Sequence, residues 1–364
     1  CGMNRSPQVE HASYMRRLHG PACVGANFCS QSAATALANG GAILQTSAAV
    51  SLQAGEVAVR IYGSALGAFP GAESVGVVEE AGGAAQHLVG QAVLVPRLLP
   101  CGECPACRRG AVRACPQRRN RPVRPCLREV VPARALLPLV QPFVDASPAT
   151  ENLWPYAVLS DALLTPYSGF VRAGVCAGTV CVVLGQGLRA DLTALVADSL
   201  GLIVERLSPS DEERLDPAAA RREISVRAAA QGLALAGAVL VETVGSLAAR
   251  ARAVQMAEPA GTVLLYEPSQ PLDGSAGQLV AEPQAGAALS SLAALAHIVD
   301  MQAQLIAVAP HPDLLPELLS LCARTQIDFT KLTREVSPSD MDSVMAARRC
   351  GQDGDSRLPV VRFP

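Results

Sequence analysis

The segment Cys101-Gly102-Glu103-Cys104-Pro105-Ala106-Cys107, followed after seven residues by Cys115, decides how the rest of the chain is read. Two-residue gaps bring three thiolates around one point in a tight loop, and the fourth closes a tetrahedron. Four thiolates with no open coordination position make a structural site, because a catalytic ion needs a vacant or water-filled place. Soft sulfur ligands select zinc over magnesium or calcium, with an iron–sulfur site or a chance cluster as the alternatives. The spacing predicts one structural zinc ion per chain, held by Cys101, Cys104, Cys107 and Cys115 in a lobe over about residues 97–130. Such a lobe has little apolar core of its own, so metal binding stabilises it.

Around the lobe, residues 34–153 hold short valine-bearing runs split by Gly and Pro: Val57-Ala58-Val59-Arg60-Ile61, Gly76-Val77-Val78-Glu79 and Ala92-Val93-Leu94-Val95. Runs of this kind read as strands of a β-rich domain. The texture changes over 154–325, where apolar strands alternate with Ala- and Leu-rich helices. Strands are expected at Thr179 to Leu184, Leu202 to Leu207, Ala238 to Val244, Thr262 to Tyr266 and Gln304 to Ala309, with a helix at Asp191 to Leu200. Alternation with room for crossovers argues for a doubly wound parallel sheet, an α/β architecture. Residues 326–364 return to short strands, ending in Pro359-Val360-Val361-Arg362-Phe363, and residues 1–33 form an extension with no clean periodicity.

Within the second region, the strand ending at Leu184 runs into Gly185-Gln186-Gly187-Leu188-Arg189-Ala190 and then a helix. This is Gly-x-Gly-x-x-Ala in strand–turn–helix context. The first glycine permits the tight turn, the second lets the backbone approach a pyrophosphate, and the small sixth residue lets helix and strand pack closely. Glu205, at a strand end about twenty residues on, could accept hydrogen bonds from ribose hydroxyls. Arg206 beside it could instead meet a 2′-phosphate, so NAD is expected and NADP stays open. An ordinary βα turn with a solvated Glu-Arg pair is the plainer alternative.

Composition narrows the partners. The 364 residues carry 30 basic and 32 acidic side chains, a formal charge of −2, and 50% hydrophobic residues. That balance asks for neither nucleic acid nor an anionic membrane. No apolar run approaches the ~18 residues of a membrane span, and no secretory signal is visible at the start. Lys331 is the single lysine. Of the 12 cysteines, four cluster at metal-ligand spacing and the others are scattered, unlike a disulfide scaffold; a reducing cytoplasm is the expected home.

A cysteine lobe in a β-rich domain, followed by a nucleotide-binding sheet, resembles the zinc-containing medium-chain alcohol dehydrogenase family. The resemblance is carried by Gly71-Ala72-Glu73-Ser74-Val75-Gly76-Val77-Val78, which is similar to the family's Gly-His-Glu segment, and by Val89-Gly90-Gln91-Ala92-Val93-Leu94-Val95-Pro96 leading into the cysteines. A second match is Val241-Glu242-Thr243-Val244-Gly245 with Pro259-Ala260-Gly261-Thr262. Ser160-Asp161-Ala162-Leu163-Leu164-Thr165-Pro166-Tyr167, taken with Leu99-Pro100-Cys101-Gly102-Glu103-Cys104, looks most like the branch of 6-hydroxycyclohex-1-ene-1-carbonyl-CoA dehydrogenases. The resemblance implies a GroES-like β-barrel domain plus a Rossmann domain, NAD(P)-linked oxidation of an alcohol to a ketone in the cleft between them, and a dimer or tetramer. In the family a second zinc polarises the alcohol oxygen.

This chain departs from that pattern at the second zinc. Tyr62-Gly63-Ser64-Ala65 stands where the family has a Cys-Gly-Ser-Asp-like run, Ala72 stands in place of the histidine, and the loop between them is only a few residues long. Of the family's ligand positions only Glu73 and Asp161 keep a metal-binding side chain, a poor catalytic zinc set. The histidines, at 11, 19, 87, 297 and 311, offer no obvious substitute in sequence. Ser64 matches the family's proton-relay hydroxyl, and Tyr62 could donate a proton to an activated double bond or carbonyl, or simply pack. In the cofactor loop, Leu188 stands where the family commonly has a further glycine, and Arg189 could offset the crowding with a phosphate contact. Three readings stay open: an NAD(P)-linked oxidoreductase without catalytic zinc, a family member with impaired chemistry, and a non-catalytic nucleotide-binding scaffold. Nine arginines at 108, 109, 113, 118, 119, 121, 124, 128 and 134 could attract the phosphates of an acyl-CoA substrate, or merely solvate the lobe.

Overall fold

The computed structural model describes residues 51–67, 70–71, 73–109, 111–121, 125–139, 152–207, 216–266, 296–349 and 352–364. The extension expected over 1–33 lies outside the described residues, as do His11, His19, Ala72 and Arg124.

The first sheet is built around β1 (Glu56–Ala65), β2 (Ser74–Ala81) and β3 (Ala92–Val95). β4 (Leu98–Leu99) and β5 (Arg119–Asn120) pair with each other across the cysteine lobe. β6 (Arg128–Pro132) and β7 (Leu137–Pro138) then rejoin the main sheet. The second sheet holds β8 (Val180–Leu184), β9 (Ile203–Leu207), β10 (Val239–Glu242), β11 (Thr262–Leu265) and β12 (Gln304–Ala307). β13 (Thr333–Val336) and β14 (Leu358–Arg362) return to the first sheet. Its order is β13-β14-β1-β2-β3-β7, with β6 also on β1. The ten residues of β1 serve β6 over Glu56–Arg60 and β14 over Gly63–Ala65.

β3 shows why its sequence lacks alternation. All four residues are buried: Val93 and Val95 pack inside the first domain with Val57, Val59 and Ile61, while Ala92 and Leu94 face the second domain. That second face belongs to a core shared by both domains, in which Val75 and Leu94 join Leu159, Leu164, Phe170, Cys181 and Val183. Burial on both faces removes the in–out period that marks a half-solvated strand. Two glycines permit close backbone approach. A Cβ on Gly76 would lie 2.1 Å from the Arg60 carbonyl oxygen, and one on Gly63 would lie 2.5 Å from Trp154 Cα.

The second sheet is parallel throughout, in the order β12-β11-β10-β8-β9. Cys181 and Val183 of β8 pack with Ala190, Val196 and Ala197 of the helix Leu188–Ser199, whereas Val180, Val182 and Leu184 pack with Ala220, Ile224 and Ala228 of the helix Pro217–Ala230. Helices cover both faces, as a doubly wound sheet requires. The chain goes from β8 to β9 on one side and then, after one described helix, to β10 on the other side of β8. Strand order thus reverses between β8 and β10.

Three local expectations shift. The helix begins at Leu188, not Asp191, because Gly187 with φ 78° serves as its N-cap and the helix starts at the very next residue. β10 ends at Glu242, two residues early, where the side chain turns back onto the following amides. The tail is more helical than its short runs suggest, with helices Phe329–Leu332 and Met341–Arg349 among its strands. Lys331 lies on the first of these, 81% exposed, 3.6 Å from Asp328, while Phe329 packs edge-on against Tyr156 at 5.1 Å. Among the described residues no helix is long and apolar enough to cross a membrane.

Candidate functional site

The four cysteines converge as their spacing predicts. Their sulfurs lie within 4.8 Å of one another, with Cys101–Cys107 at 3.8 Å and Cys104–Cys107 at 3.5 Å. Tetrahedral zinc with ~2.3 Å bonds to sulfur requires about 3.8 Å between sulfurs, so this donor set fits the ion. Backbone N–H groups of Cys101, Cys104 and Cys107 donate to the sulfurs of Cys115, Cys101 and Cys104, each at 3.4 Å. Burial raises the Cys101 thiol, but the N–H groups of Glu103 and Cys104 outweigh it and bring it down to about 7. Cys107 is pushed up to about 12, by burial and then by the Cys104 thiol. A bound divalent ion holds such thiols deprotonated. Among the described residues, the apolar cluster at the centre of the lobe contains only the cysteines themselves. All eight described cysteines are free.

The glycine turn sits at the carboxyl end of β8, where strand order reverses, the place at which open parallel sheets bind ligands. Gly185 has φ 112°, and a Cβ there would lie 2.4 Å from Thr243 Oγ1. Gly187 has φ 78°, yet a Cβ there would meet nothing within 4 Å. One glycine is needed for packing and the other leaves open space beside a helix N-terminus, so the turn fits a dinucleotide phosphate. Ala190 is fully buried against the sheet, and Leu188 is half-buried. Arg189 lies 5.9 Å above the Tyr266 ring, and the Tyr266 hydroxyl shares a 3.0 Å hydrogen bond with Thr193. Glu205 and Arg206 part company, because neighbouring strand residues face opposite sides. Glu205 accepts from Gln231 at 3.0 Å, just past the helix Pro217–Ala230, whereas Arg206 pairs at 2.7 Å with Asp191 in the first turn of the helix that opens at the glycines.

Across the turn, Glu242 closes β10 fully buried. Its Oε1 accepts from the N–H groups of Val244 at 2.6 Å and Gly245 at 2.7 Å. Burial raises its pKa against those two amides and the charges of Arg250 and Arg189. Sequence reasoning quoted this segment but assigned Glu242 no role. The available signal was a charged residue ending an apolar strand.

The structure brings Glu73 and Asp161 together, although 88 positions separate them. Glu73 Oε2 accepts from the Ala162 N–H at 3.0 Å, and Asp161 Oδ1 accepts from the Thr165 hydroxyl at 2.5 Å. Burial, then the charge of Asp161, holds the Glu73 carboxyl well above the usual carboxylate range. Ser64 is fully buried and shares a 3.0 Å hydrogen bond with Ser74. Tyr62 is half-buried, with the Arg60 guanidinium 5.4 Å over its ring. Among the described residues, the cysteine quartet is the one group of three or more His, Cys, Asp or Glu side chains that could hold an ion.

Ser74 opens onto a network that sequence reasoning missed. Arg121, 3% exposed, donates to Ser74 Oγ at 3.2 Å, to the Val95 carbonyl at 2.8 Å and to both oxygens of Glu129. It therefore ties the cysteine lobe to β2, β3 and β6. Of the other lobe arginines, Arg128 pairs with Glu79 and Glu80, and Arg134 with Glu103. A run of nine similar side chains concealed which one was buried.

Residues 41–136 match the model of the alcohol dehydrogenase GroES-like domain. No curated protein sequence matches the chain. Solved structures do match in fold. Galactitol-1-phosphate dehydrogenase from Escherichia coli superposes with a TM-score of 0.66 at 18% identity, over 88% of this chain and 96% of that one. An alcohol dehydrogenase from Thermus sp. ATN1 gives the same values: 0.66, 18%, 88% and 96%. A protein from Sinorhizobium meliloti described as a zinc-binding dehydrogenase and bound to NADP gives 0.61 at 18% identity, over 89% and 96%. The chain thus has the alcohol dehydrogenase fold, an alcohol dehydrogenase GroES-like domain joined to a Rossmann-like parallel sheet.

Proposed function

We propose that the chain is an NAD(P)-dependent oxidoreductase acting between an alcohol and a ketone on a small-molecule substrate. The observation that carries this reading is the Gly185–Gly187 turn, with open space beside Gly187 where strand order reverses. Backbone N–H groups at the start of the helix Leu188–Ser199 would hold the pyrophosphate, with Arg189 in that first turn, and Arg206 beside Asp191 would meet a 2′-phosphate. The dinucleotide, when bound, supplies the hydride acceptor or donor. The cysteine quartet holds a structural zinc, which keeps the lobe folded and takes no part in the reaction.

A second, catalytic zinc does not fit the described donors, which offer Glu73 and Asp161 but no third ligand with them. We assign proton transfer to Glu73 instead. Its carboxyl is buried beside Asp161, and burial, then that charge, raises its pKa, the direction that suits a general acid. Asp161 raises the Glu73 pKa, and the Ala162 N–H orients Oε2. The same donor would serve reduction of an activated double bond. An acyl-CoA substrate, the finer reading suggested by branch resemblance, would draw on exposed lobe arginines such as Arg108 and Arg109, and charge reversal of both should then weaken acyl-CoA affinity.

The deciding experiment pairs elemental analysis with NADH and NADPH titration of the purified protein. One zinc per chain with saturable binding supports the proposal. Two zincs per chain would return the chemistry to metal-assisted dehydrogenation. Binding without turnover across alcohols, ketones and acyl-thioesters would make the chain a nucleotide-binding scaffold. A homo-oligomer, dimer or tetramer, is part of the proposal and is checked by sedimentation.

A further inference from the structure

We infer that Glu242 is a positioning residue, whose carboxylate holds the loop Thr243–Gly245 as one lip of the dinucleotide crevice opposite the glycine turn. The inference rests on the cofactor reading above but concerns a residue that reading does not use.

Four observations converge. First, Glu242 stands where β10 stops, in register with Leu184, the last residue before Gly185. Second, its Oε1 accepts from two consecutive amides, Val244 at 2.6 Å and Gly245 at 2.7 Å, drawing the loop back onto the strand end. Third, the loop so held touches the turn. Thr243 donates through N and Oγ1 to the Leu184 carbonyl, at 3.1 and 2.7 Å, and Val244 Cγ2 would lie 3.1 Å from a Cβ on Gly185. Val244 is nevertheless 40% exposed. Fourth, the carboxylate is costly where it stands. It is fully buried, Oε2 has no hydrogen-bond partner, and its ion pair with Arg250 is loose, with Nε 3.9 Å away and the guanidinium donating instead to the Tyr266 carbonyl at 2.7 Å.

A half-satisfied buried carboxylate is a poor choice for stability alone. Local rules are broken in this way where a site needs a particular geometry. Here the geometry is a loop pulled back onto its own strand end, which packs Thr243 against Gly185 while the space beside Gly187 stays open.

The test compares wild type with Glu242→Gln, which keeps the carbonyl acceptor, and Glu242→Ala, which removes it. Two readouts are taken: NADH affinity by fluorescence titration, and amide hydrogen exchange at Val244 and Gly245 without cofactor. The expected result is near-wild-type behaviour for Glu242→Gln. Glu242→Ala should lose about ten- to a hundredfold in NADH affinity, the loss of two hydrogen bonds, with faster exchange at those two amides and unchanged exchange in β1. Should Glu242→Ala fail to fold, Glu242→Asp, one methylene shorter, carries the same expectations. Wild-type exchange at both amides in the Ala or Asp variant overturns the inference, as does wild-type NADH affinity. If wild type itself binds neither NADH nor NADPH, the cofactor reading falls, and the claim that Glu242 holds a cofactor lip falls with it.

Discussion

Glu73 is the residue at which stability and chemistry pull apart. Its carboxyl is held well above the ordinary range by burial and Asp161, so the folded chain binds this proton more tightly than the unfolded chain does. The stabilising contribution is complete below the unfolded carboxylate pKa and is lost as pH rises through the folded value. Glu73→Gln keeps an acceptor for the Ala162 N–H and removes the titration. Thermal melts should show its Tm gaining on wild type as pH rises from acid to neutral. Steady-state assays should show kcat down by about 10²–10⁴-fold with NADH binding retained. A variant that keeps full kcat would remove Glu73 from the reaction. Arg121 is a different case, since its buried guanidinium donates to Glu129, to the Val95 carbonyl and to Ser74. Arg121→Met alone strands a carboxylate and should cost about 3–5 kcal/mol in denaturant unfolding, whereas Arg121→Met with Glu129→Gln should recover much of it. Equal losses in both variants would contradict this account.

Among the elements, the glycine turn makes the sharpest prediction. Gly187→Val forces a β-branched residue to φ 78° at a helix N-cap and fills the open space beside it. NADH affinity should fall at least about tenfold and the strained turn should lower Tm, while circular dichroism stays near wild type, because a Cβ there meets no protein atom within 4 Å. Gly185→Ala collides instead with Thr243 and should lower Tm. What could be read from sequence follows the same division. β3, β8 and β11 were legible because Gly, Pro or a turn bounds a short apolar run, and the cysteine quartet because its spacing admits one geometry. The opposite facing of Glu205 and Arg206 was not legible, since it depends on where β9 meets its two flanking helices. The meeting of Glu73 with Asp161 was legible only through the resemblance, which places both in one ligand set, because spacing alone does not join residues 88 positions apart.

At the scale of the whole molecule, the two sheets share one core, which holds Leu94 and Val75 of the first with Cys181 and Val183 of the second around Phe170. Thermal unfolding should accordingly show a single cooperative transition for both sheets, and Phe170→Ala, about 3–5 kcal/mol by its volume, should lower it without splitting it. The cysteine lobe stands outside that core. Chelation should therefore erase hydrogen-exchange protection over residues 97–121 while the shared core keeps its own. Loss of protection everywhere at once would mean that the lobe is integral to the core. The single lysine has a practical corollary. Lys331 stands out into solvent two residues from Phe329, whose ring abuts Tyr156. Apart from any α-amine, an amine-directed fluorophore finds one address on this chain. A dye placed there would sit over the seam between the returning tail and the residues that lead into the parallel sheet, and would report its opening without any engineered label site.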